Sequence, residues 1–304
     1  VTPGTYWIDG RLVTDTEGAA SLSAHGLHYG YGVFEGIRGY AVGGDVALFR
    51  LDDHLRRFER SAQILGIPLG HSGAEITRAV VSLTERAGFG DCYIRPMAFY
   101  GGGPLGMGTA GRTAHVAVLV DEWEQERFDS EPEGIRVAVS TWRRPGPDTL
   151  PYQAKSTGMY LNSVLGKREA QASGADDALF LTQDGLVGDA SGANVFTVSD
   201  GVLRTPPRST GLLCGITRDT VMELAVGRGL RVVEEPVTLA DLSTADEVFL
   251  TGTGLEIRPV EAVGDRVYGC GPTTRLLAHD YQKAVRGDID GFRHRVTWLR
   301  RDTQ

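Results

Sequence analysis

The chain contains three lysines in 304 residues, Lys155, Lys167 and Lys283, and draws its remaining basic charge from arginine. Chemistry that needs a primary amine from a side chain must use one of these three. Lys167 and Lys283 stand in segments of helical periodicity and read as solvated positions. Lys155 stands in Gln153-Ala154-Lys155-Ser156-Thr157-Gly158, after a stretch punctuated by Pro145, Pro147 and Pro151 and just before a helix. An amine held there can face a cavity, and partial desolvation would favour its neutral, nucleophilic form as a Schiff-base former. Taken alone, the stretch favours an ordinary surface lysine; the rest of the chain reverses that reading.

Three further patterns could carry chemistry. Tyr93-Ile94-Arg95-Pro96 lies in a strand-like run, and a period of two puts Tyr93 and Arg95 on one face. A hydroxyl and a guanidinium side by side suit carboxylates, although an exposed polar strand face accounts for them as well. Cys214-Gly215-Ile216-Thr217 precedes an apolar helix, and a helix start with free N–H groups attracts anions, phosphate above all; most helix starts are merely capped. The glycine-rich run Gly101 to Gly111 lacks the Gly-Lys-Ser/Thr ending of a P-loop and precedes a strand, so it reads as a mobile loop. Phe34, Trp123 and Tyr160 lie near these polar groups in sequence, and each by itself is more simply a core residue.

The elements that must position these residues are legible in outline. Asp9-Gly10 marks a hairpin, and Val33–Tyr40 reads as a strand returning through Gly43-Gly44 to Val46–Phe49. A helix capped by Asp52 presents Leu55, Phe58, Ala62 and Leu65; the capping box Ser72–Glu75 opens a second, with Ile76, Val80, Leu83 and Ala87 inward. Strands follow over Cys92–Tyr100 and Ala114–Val120. Strands and helices are segregated, so the first part reads as α+β with an antiparallel sheet. The later part has many short strands with a few covering helices and reads as a barrel-like α+β domain. The division is a small, sandwich-like N-terminal domain over 1–122, a polar linker over 123–133 and a larger pseudo-barrel domain over 134–304.

Composition narrows the class. A net charge of −8 without basic runs argues against nucleic acid. Cys92, Cys214 and Cys270 are scattered and suggest neither a disulfide framework nor a metal site. The absence of a leader-like start and of a long apolar run points to a soluble cytoplasmic enzyme without membrane contact.

His28-Tyr29-Gly30, Val33-Phe34-Glu35-Gly36-Ile37-Arg38, Tyr93-Ile94-Arg95-Pro96, Ala154-Lys155, Tyr160-Leu161-Asn162-Ser163, Gly215-Ile216-Thr217-Arg218 and Gly252-Thr253-Gly254-Leu255-Glu256-Ile257 together resemble the motifs of branched-chain amino-acid aminotransferases, in order and over nearly the whole chain. These are pyridoxal 5'-phosphate enzymes of fold type IV. The resemblance implies that Lys155 holds the cofactor as an internal aldimine and shuttles a proton. It implies that Arg57 binds the cofactor phosphate together with Gly215, Ile216, Thr217 and Thr253, that Asp189 pairs with the pyridine nitrogen, and that Tyr160 lies beside the ring. Tyr93 and the Thr253-Gly254 turn would receive the substrate α-carboxylate, and Arg95 the side-chain carboxylate of glutamate. Phe34 and Trp123, with Tyr29 and Met107 of the partner subunit, would wall the side-chain pocket of a homodimer or higher homo-oligomer. Amino acids and 2-oxo acids, 2-oxoglutarate among them, would be its small-molecule partners.

Two positions depart from the family pattern. Asp189 stands where Glu is usual, which sets its carboxylate back by about one C–C bond, ~1.5 Å. Met159 stands where Asn is frequent. Both leave room for a class IV transaminase acting on a non-standard amino acid in a specialised pathway. A D-amino-acid transaminase, an aminodeoxychorismate lyase or an (R)-amine transaminase fits the motifs around Phe34 and Tyr93 less well. A non-catalytic carrier of the cofactor fits poorly with the retention of Lys155 and a complete phosphate cup.

Overall fold

A computed structural model describes residues 5–14, 18, 20–123 and 133–300. In chain order the elements begin with β1 (Thr5–Ile8), β2 (Arg11–Thr14), α1 (His25–Tyr29), β3 (Gly32–Phe34), β4 (Ile37–Val42) and β5 (Asp45–Phe49). Next come α2 (Leu51–Ile64), α3 (Gly73–Ala87), β6 (Cys92–Tyr100) and β7 (Ala114–Glu122). After β8 (Ile135–Arg143) follow α4 (Tyr160–Ala172), β9 (Asp177–Leu181), β10 (Val187–Ala190), β11 (Asn194–Ser199), β12 (Val202–Thr205) and α5 (Ile216–Gly227). The last elements are β13 (Arg231–Glu234), α6 (Leu239–Thr244), β14 (Glu247–Gly252), β15 (Glu256–Val263), β16 (Arg266–Val267), α7 (Pro272–Val285), α8 (Asp290–Arg293) and β17 (Val296–Leu299).

The chain separates into two compact units. The first comprises Val1–Gln125, Ala154–Met159 and Ala284–Gln304; the second comprises Glu126–Gln153 and Tyr160–Lys283. This parts from the sequence-based division, which assigned all of 134–304 to one domain. The physical reason is pairing: β17 lies antiparallel against β5, and Ser156 bridges to Val33, so both segments belong to the first sheet. The expected linker over 123–133 falls, apart from Trp123 and Glu133, outside the described residues.

In the first unit the strands run β17-β5-β4-β6-β7-β1-β2, with β3 also on β6, and every pairing is antiparallel. The run expected as one strand from Val33 is two strands. Phe34 pairs with Met97 and Ile37 with Ile94, so the register continues across Glu35-Gly36, but the residue opposite Glu35 is Pro96. Proline has no N–H to donate, so the ladder lapses there; only the Glu35 N–H to Pro96 carbonyl bond remains, at 2.8 Å. Helices α2 and α3 bury Leu55, Phe58, Ile76, Val80 and Leu83 in this unit's core. The capping box of α3 forms as read, with Ser72 and Glu75 bonding reciprocally. For α2 the cap differs: Asp52 lies in the first turn, and Arg50 caps in left-handed conformation. Its N–H donates to the Arg295 carbonyl at 2.7 Å and its Nε to Asp53 at 2.5 Å, contacts that hold it there.

In the second unit β9, β8, β15, β14 and β11 pair in succession, and β10 pairs with both β9 and β11. That double pairing closes six strands into a barrel. Val137, Leu179, Val195, Val248, Leu250 and Val260 form part of its core. The expected barrel-like plan is therefore present, and its closing strand is the one that carries Asp189. Among the described residues no helix is long and apolar enough to cross a membrane, and no group of three or more His, Cys, Asp or Glu is placed to hold a metal ion.

Candidate active site

In the first unit, Lys155 is the half-buried lysine of the chain; Lys167 and Lys283 are exposed. Its backbone is fixed on both sides: the N–H donates to Ser61 Oγ at 3.0 Å, and the carbonyl accepts from the Phe34 N–H at 3.1 Å. The side chain is thereby aimed across Phe34, with Nζ 4.9 Å from the ring centroid. The Arg95 guanidinium lies over the same ring at 4.7 Å. Arg95 also donates to Tyr93 Oη at 3.3 Å, so the shared strand face expected for this pair is present. Trp123 packs on Tyr93 with ring centroids 5.0 Å apart. Gly36 makes this packing possible, because a Cβ there would come within 1.9 Å of Tyr93 Oη. One face thus gathers Lys155, Phe34, Tyr93, Arg95 and Trp123.

Arg57 has an additional partner that sequence reading did not supply. Its Nε and Nη2 donate to the two oxygens of Glu35 at 2.6 and 2.9 Å, and His54 Nδ1 lies 2.8 Å from Glu35 Oε2. Burial of Glu35 pushes its carboxyl up, but the Arg57 charge and the donors from Arg57 and His54 outweigh that and hold it well below the usual carboxylate range. A carboxylate only accepts, so His54 Nδ1 is the donor. Burial, together with the charges of Arg57 and Lys155, holds His54 below the usual histidine range despite Glu35, so it is neutral at pH 7. Glu35→Gln removes the charge that pairs Arg57 and is expected to destabilise the protein by about 3 kcal/mol, read from urea unfolding at pH 7. Loss below ~0.5 kcal/mol would refute a structural charge pair, since that is the size of an ordinary surface change. Because the Glu35 pKa is depressed, its stabilisation is present above the unfolded carboxylate range and is lost as pH falls through the folded value.

In the second unit the remaining candidates assemble around two residues missing from the sequence-based set. The first is Asn194, which pairs with Asp189 on one side and Thr251 on the other. Its Nδ2 donates to the Leu213 carbonyl at 3.1 Å, and its Oδ1 stands where a Cβ on Gly215 would be, 2.1 Å away. Asn194 therefore joins Asp189, the start of α5 and the strand that runs into Thr253-Gly254. Helix α5 opens on Gly215 without a side-chain cap, followed by the buried Ile216 and Thr217. An uncapped helix start whose glycine admits close approach fits a phosphate.

The second is Arg144. It is buried and donates to Asp189 Oδ1, Asn162 Oδ1, Ser163 Oγ and the Ala190 carbonyl at 2.6 to 2.9 Å. Asn162 and Ser163 lie in the first turn of α4, which Tyr160 opens, so Arg144 ties Tyr160's helix to Asp189's strand. Burial pushes the Asp189 carboxyl up and nearby Asp177 adds to this, while Arg144 opposes it; the balance is a raised value.

Tyr29 and Met107, expected at a subunit boundary, stand on α1 and on the Gly101–Gly111 loop. Both are exposed, Met107 at 83 %, and so are Leu22, Leu27 and Leu105. The loop, expected to be mobile, is stapled. His25 Nε2 is 2.9 Å from the Gly106 carbonyl, and Arg112 donates to the carbonyls of Ser23, Gly101, Pro104 and Gly108.

Comparison with known proteins gives a consistent result. The model of the class IV amino-transferase family matches residues 32–263. The branched-chain-amino-acid aminotransferase of Pseudomonas aeruginosa is 37% identical over 291 residues, 94% of each chain. The crystal structure of a branched-chain aminotransferase from Thermoproteus uzoniensis with norvaline superimposes with a TM-score of 0.93 at 38% identity, covering 98% of this chain and 99% of that one. That of the branched-chain amino acid aminotransferase from Thermobaculum terrenum, in its PLP-form, gives 0.92 at 34% identity, covering 98% and 99%.

Proposed function

This chain belongs to the class IV aminotransferases, and on that premise we propose that it exchanges the amino group between an L-branched-chain amino acid and 2-oxoglutarate with pyridoxal 5'-phosphate. The observation that carries the reading is Lys155, half-buried and backbone-locked, with its amine over Phe34 beside Arg95. The donor set suits the cofactor: an amine for its aldehyde, an uncapped helix start for its phosphate and a partly buried carboxylate for its ring nitrogen. When bound, the cofactor supplies the electron sink. Lys155 Nζ anchors it and carries the proton to and from the substrate Cα. Asp189 places negative charge at the ring nitrogen, and the first N–H groups of α5, with Thr217, Thr253 and Arg57, bind phosphate. Tyr93 and the Thr253-Gly254 turn receive the α-carboxylate.

One pocket must serve an aliphatic side chain and a carboxylate in turn. Phe34 and Trp123 offer apolar walls, and Arg95 offers a cation at their edge. Arg95→Ala is expected to weaken the glutamate or 2-oxoglutarate half-reaction by about 1.5–3 kcal/mol, the size of a charged hydrogen bond. Single-turnover measurements should show a smaller loss with leucine or valine; equal losses would refute the division of labour.

The protein acts as a homodimer in this reading, with Tyr29 and Met107 of the partner subunit completing the side-chain pocket. The exposed apolar residues on α1 and the stapled loop support a covering second copy. A fully active monomer by light scattering would overturn this. The cytoplasm is its proposed compartment, in keeping with three cysteines scattered along the sequence. The test of the whole reading is optical: protein supplied with pyridoxal phosphate should absorb visible light, and the band should shift on adding leucine or valine. An amino-donor panel with 2-oxoglutarate then separates branched-chain donors from the amino acid of a specialised pathway, the alternative that Asp189 and Met159 keep in view.

A further inference from the structure

We propose that Arg144 is the positioning residue of the Asp189 half-site: it clamps the short carboxylate by Oδ1 as an anion and leaves Oδ2 to the ring nitrogen of pyridoxal phosphate. The inference rests on the cofactor reading above. Every nitrogen of the guanidinium is committed: Nε to Asp189 Oδ1 at 2.6 Å, Nη1 to Asn162 Oδ1 and Ser163 Oγ at 2.9 Å each, and Nη2 to the Ala190 carbonyl at 2.6 Å. Its plane rests on Phe180, 3.9 Å from the ring centroid. Phe180 is itself immobilised against Gly166, where a Cβ would come within 2.2 Å of the ring. The cation is therefore fixed by acceptors on β10 and α4 and by an aromatic floor, a set that a flexible ammonium does not reproduce.

Among the described residues no side chain besides Arg144 engages the Asp189 carboxylate, and Arg144 takes Oδ1. With Oδ1 pinned, the position of Oδ2 is set by the clamp, which makes the length of the acid a matter of where Arg144 stands. The charge also depends on it. Burial and the charge of Asp177 both favour the neutral acid; Arg144 is the cation that opposes them, with a lesser contribution from the backbone hydrogen bond of Asp189. A neutral acid would keep the proton that the ring nitrogen needs.

A purely structural role would have Arg144 only pin α4 to the barrel. The separating measurement follows the carboxyl carbon of Asp189 by NMR in cofactor-free protein labelled with 13Cγ-aspartate, the signal being assigned with Asp189→Asn. We expect an ionised Asp189 at pH 7 in the wild type, and a titration midpoint raised by about one to three pH units in Arg144→Gln. In loaded protein, 15N-labelled pyridoxal phosphate should report a protonated ring nitrogen in the wild type and a shift toward the unprotonated form in Arg144→Gln. Arg144→Lys, which keeps the charge and loses the fork, should fall between the two. A neutral Asp189 in the wild type at pH 7 overturns the proposal, as does a wild-type titration in either variant. Should Arg144→Gln not fold, the wild-type measurement and Arg144→Lys decide. Failure of wild-type protein to take up pyridoxal phosphate overturns the cofactor reading itself, and is told apart because uptake is read by absorbance and the Asp189 titration is made without cofactor.

Discussion

Lys155→Ala is expected to lower amino-group transfer by about 10⁴-fold, the upper range for removing a positioned proton-transfer group, while the protein stays folded. The contacts that hold this loop are made by backbone, the N–H to Ser61 Oγ and the carbonyl from Phe34, and alanine keeps both. Circular dichroism of the variant should match the wild type. In the wild type, borohydride reduction followed by peptide mapping should place the cofactor on Lys155. Label on Lys167 or Lys283 would sink the assignment, and both are exposed. Transfer that survives in Lys155→Ala to within tenfold would do the same.

Asp189→Asn keeps the shape of the side chain and removes its charge. The Arg144 Nε–H still finds an oxygen, so β10 and the barrel closure should persist. Transfer should fall by roughly 10²–10³-fold, the usual cost of deleting one electrostatic stabiliser, with the cofactor still retained. Stopped-flow measurement of a single half-reaction reads this directly, and near-native rates would show that Asp189 serves only the strand and its Arg144 pair. The raised carboxyl carries a sign as well. In cofactor-free protein the anion is lost, as pH falls, at a higher pH than for an ordinary aspartate. Asp189→Glu asks whether the clamp suits the shorter acid: improved turnover would mark the missing methylene as a handicap.

The α+β plan of fold type IV was legible because its signals are local. The Ser72–Glu75 box and the alternation from Cys92 to Tyr100 each lie within a few residues, and the structure keeps both. The same period of two brought Tyr93 and Arg95 together correctly. Partnerships across long separations were not legible. Arg144 stands in Arg143-Arg144-Pro145, which reads as loop, and its acceptors Asn162 and Asp189 come from distant stretches. The Glu35 partner of Arg57 stayed hidden, because a buried carboxylate has no mark of its own in a strand-like run. Asn194 carries no signal of its own in the sequence, and only the register places it between Asp189 and Thr251. Short elements such as α6, β16 and β17 carry too few residues for periodicity to show.

The pairing of β17 with β5 has a consequence for the order in which the molecule is made. Residues 296–299 supply the edge strand for residues 46–49, so the first sheet is incomplete until residues 296–299 have left the ribosome. All nine strands of the second unit's sheet come from 135–267. During vectorial synthesis that sheet has all its strands before β17 completes the sheet of the first unit. Until then β5 presents an unpaired edge, with Ala47, Leu48 and Phe49 among its residues, to any chain nearby. Loss of β17 would therefore be felt first as a lower yield of folded protein at high synthesis rates, before any change in the chemistry at Lys155.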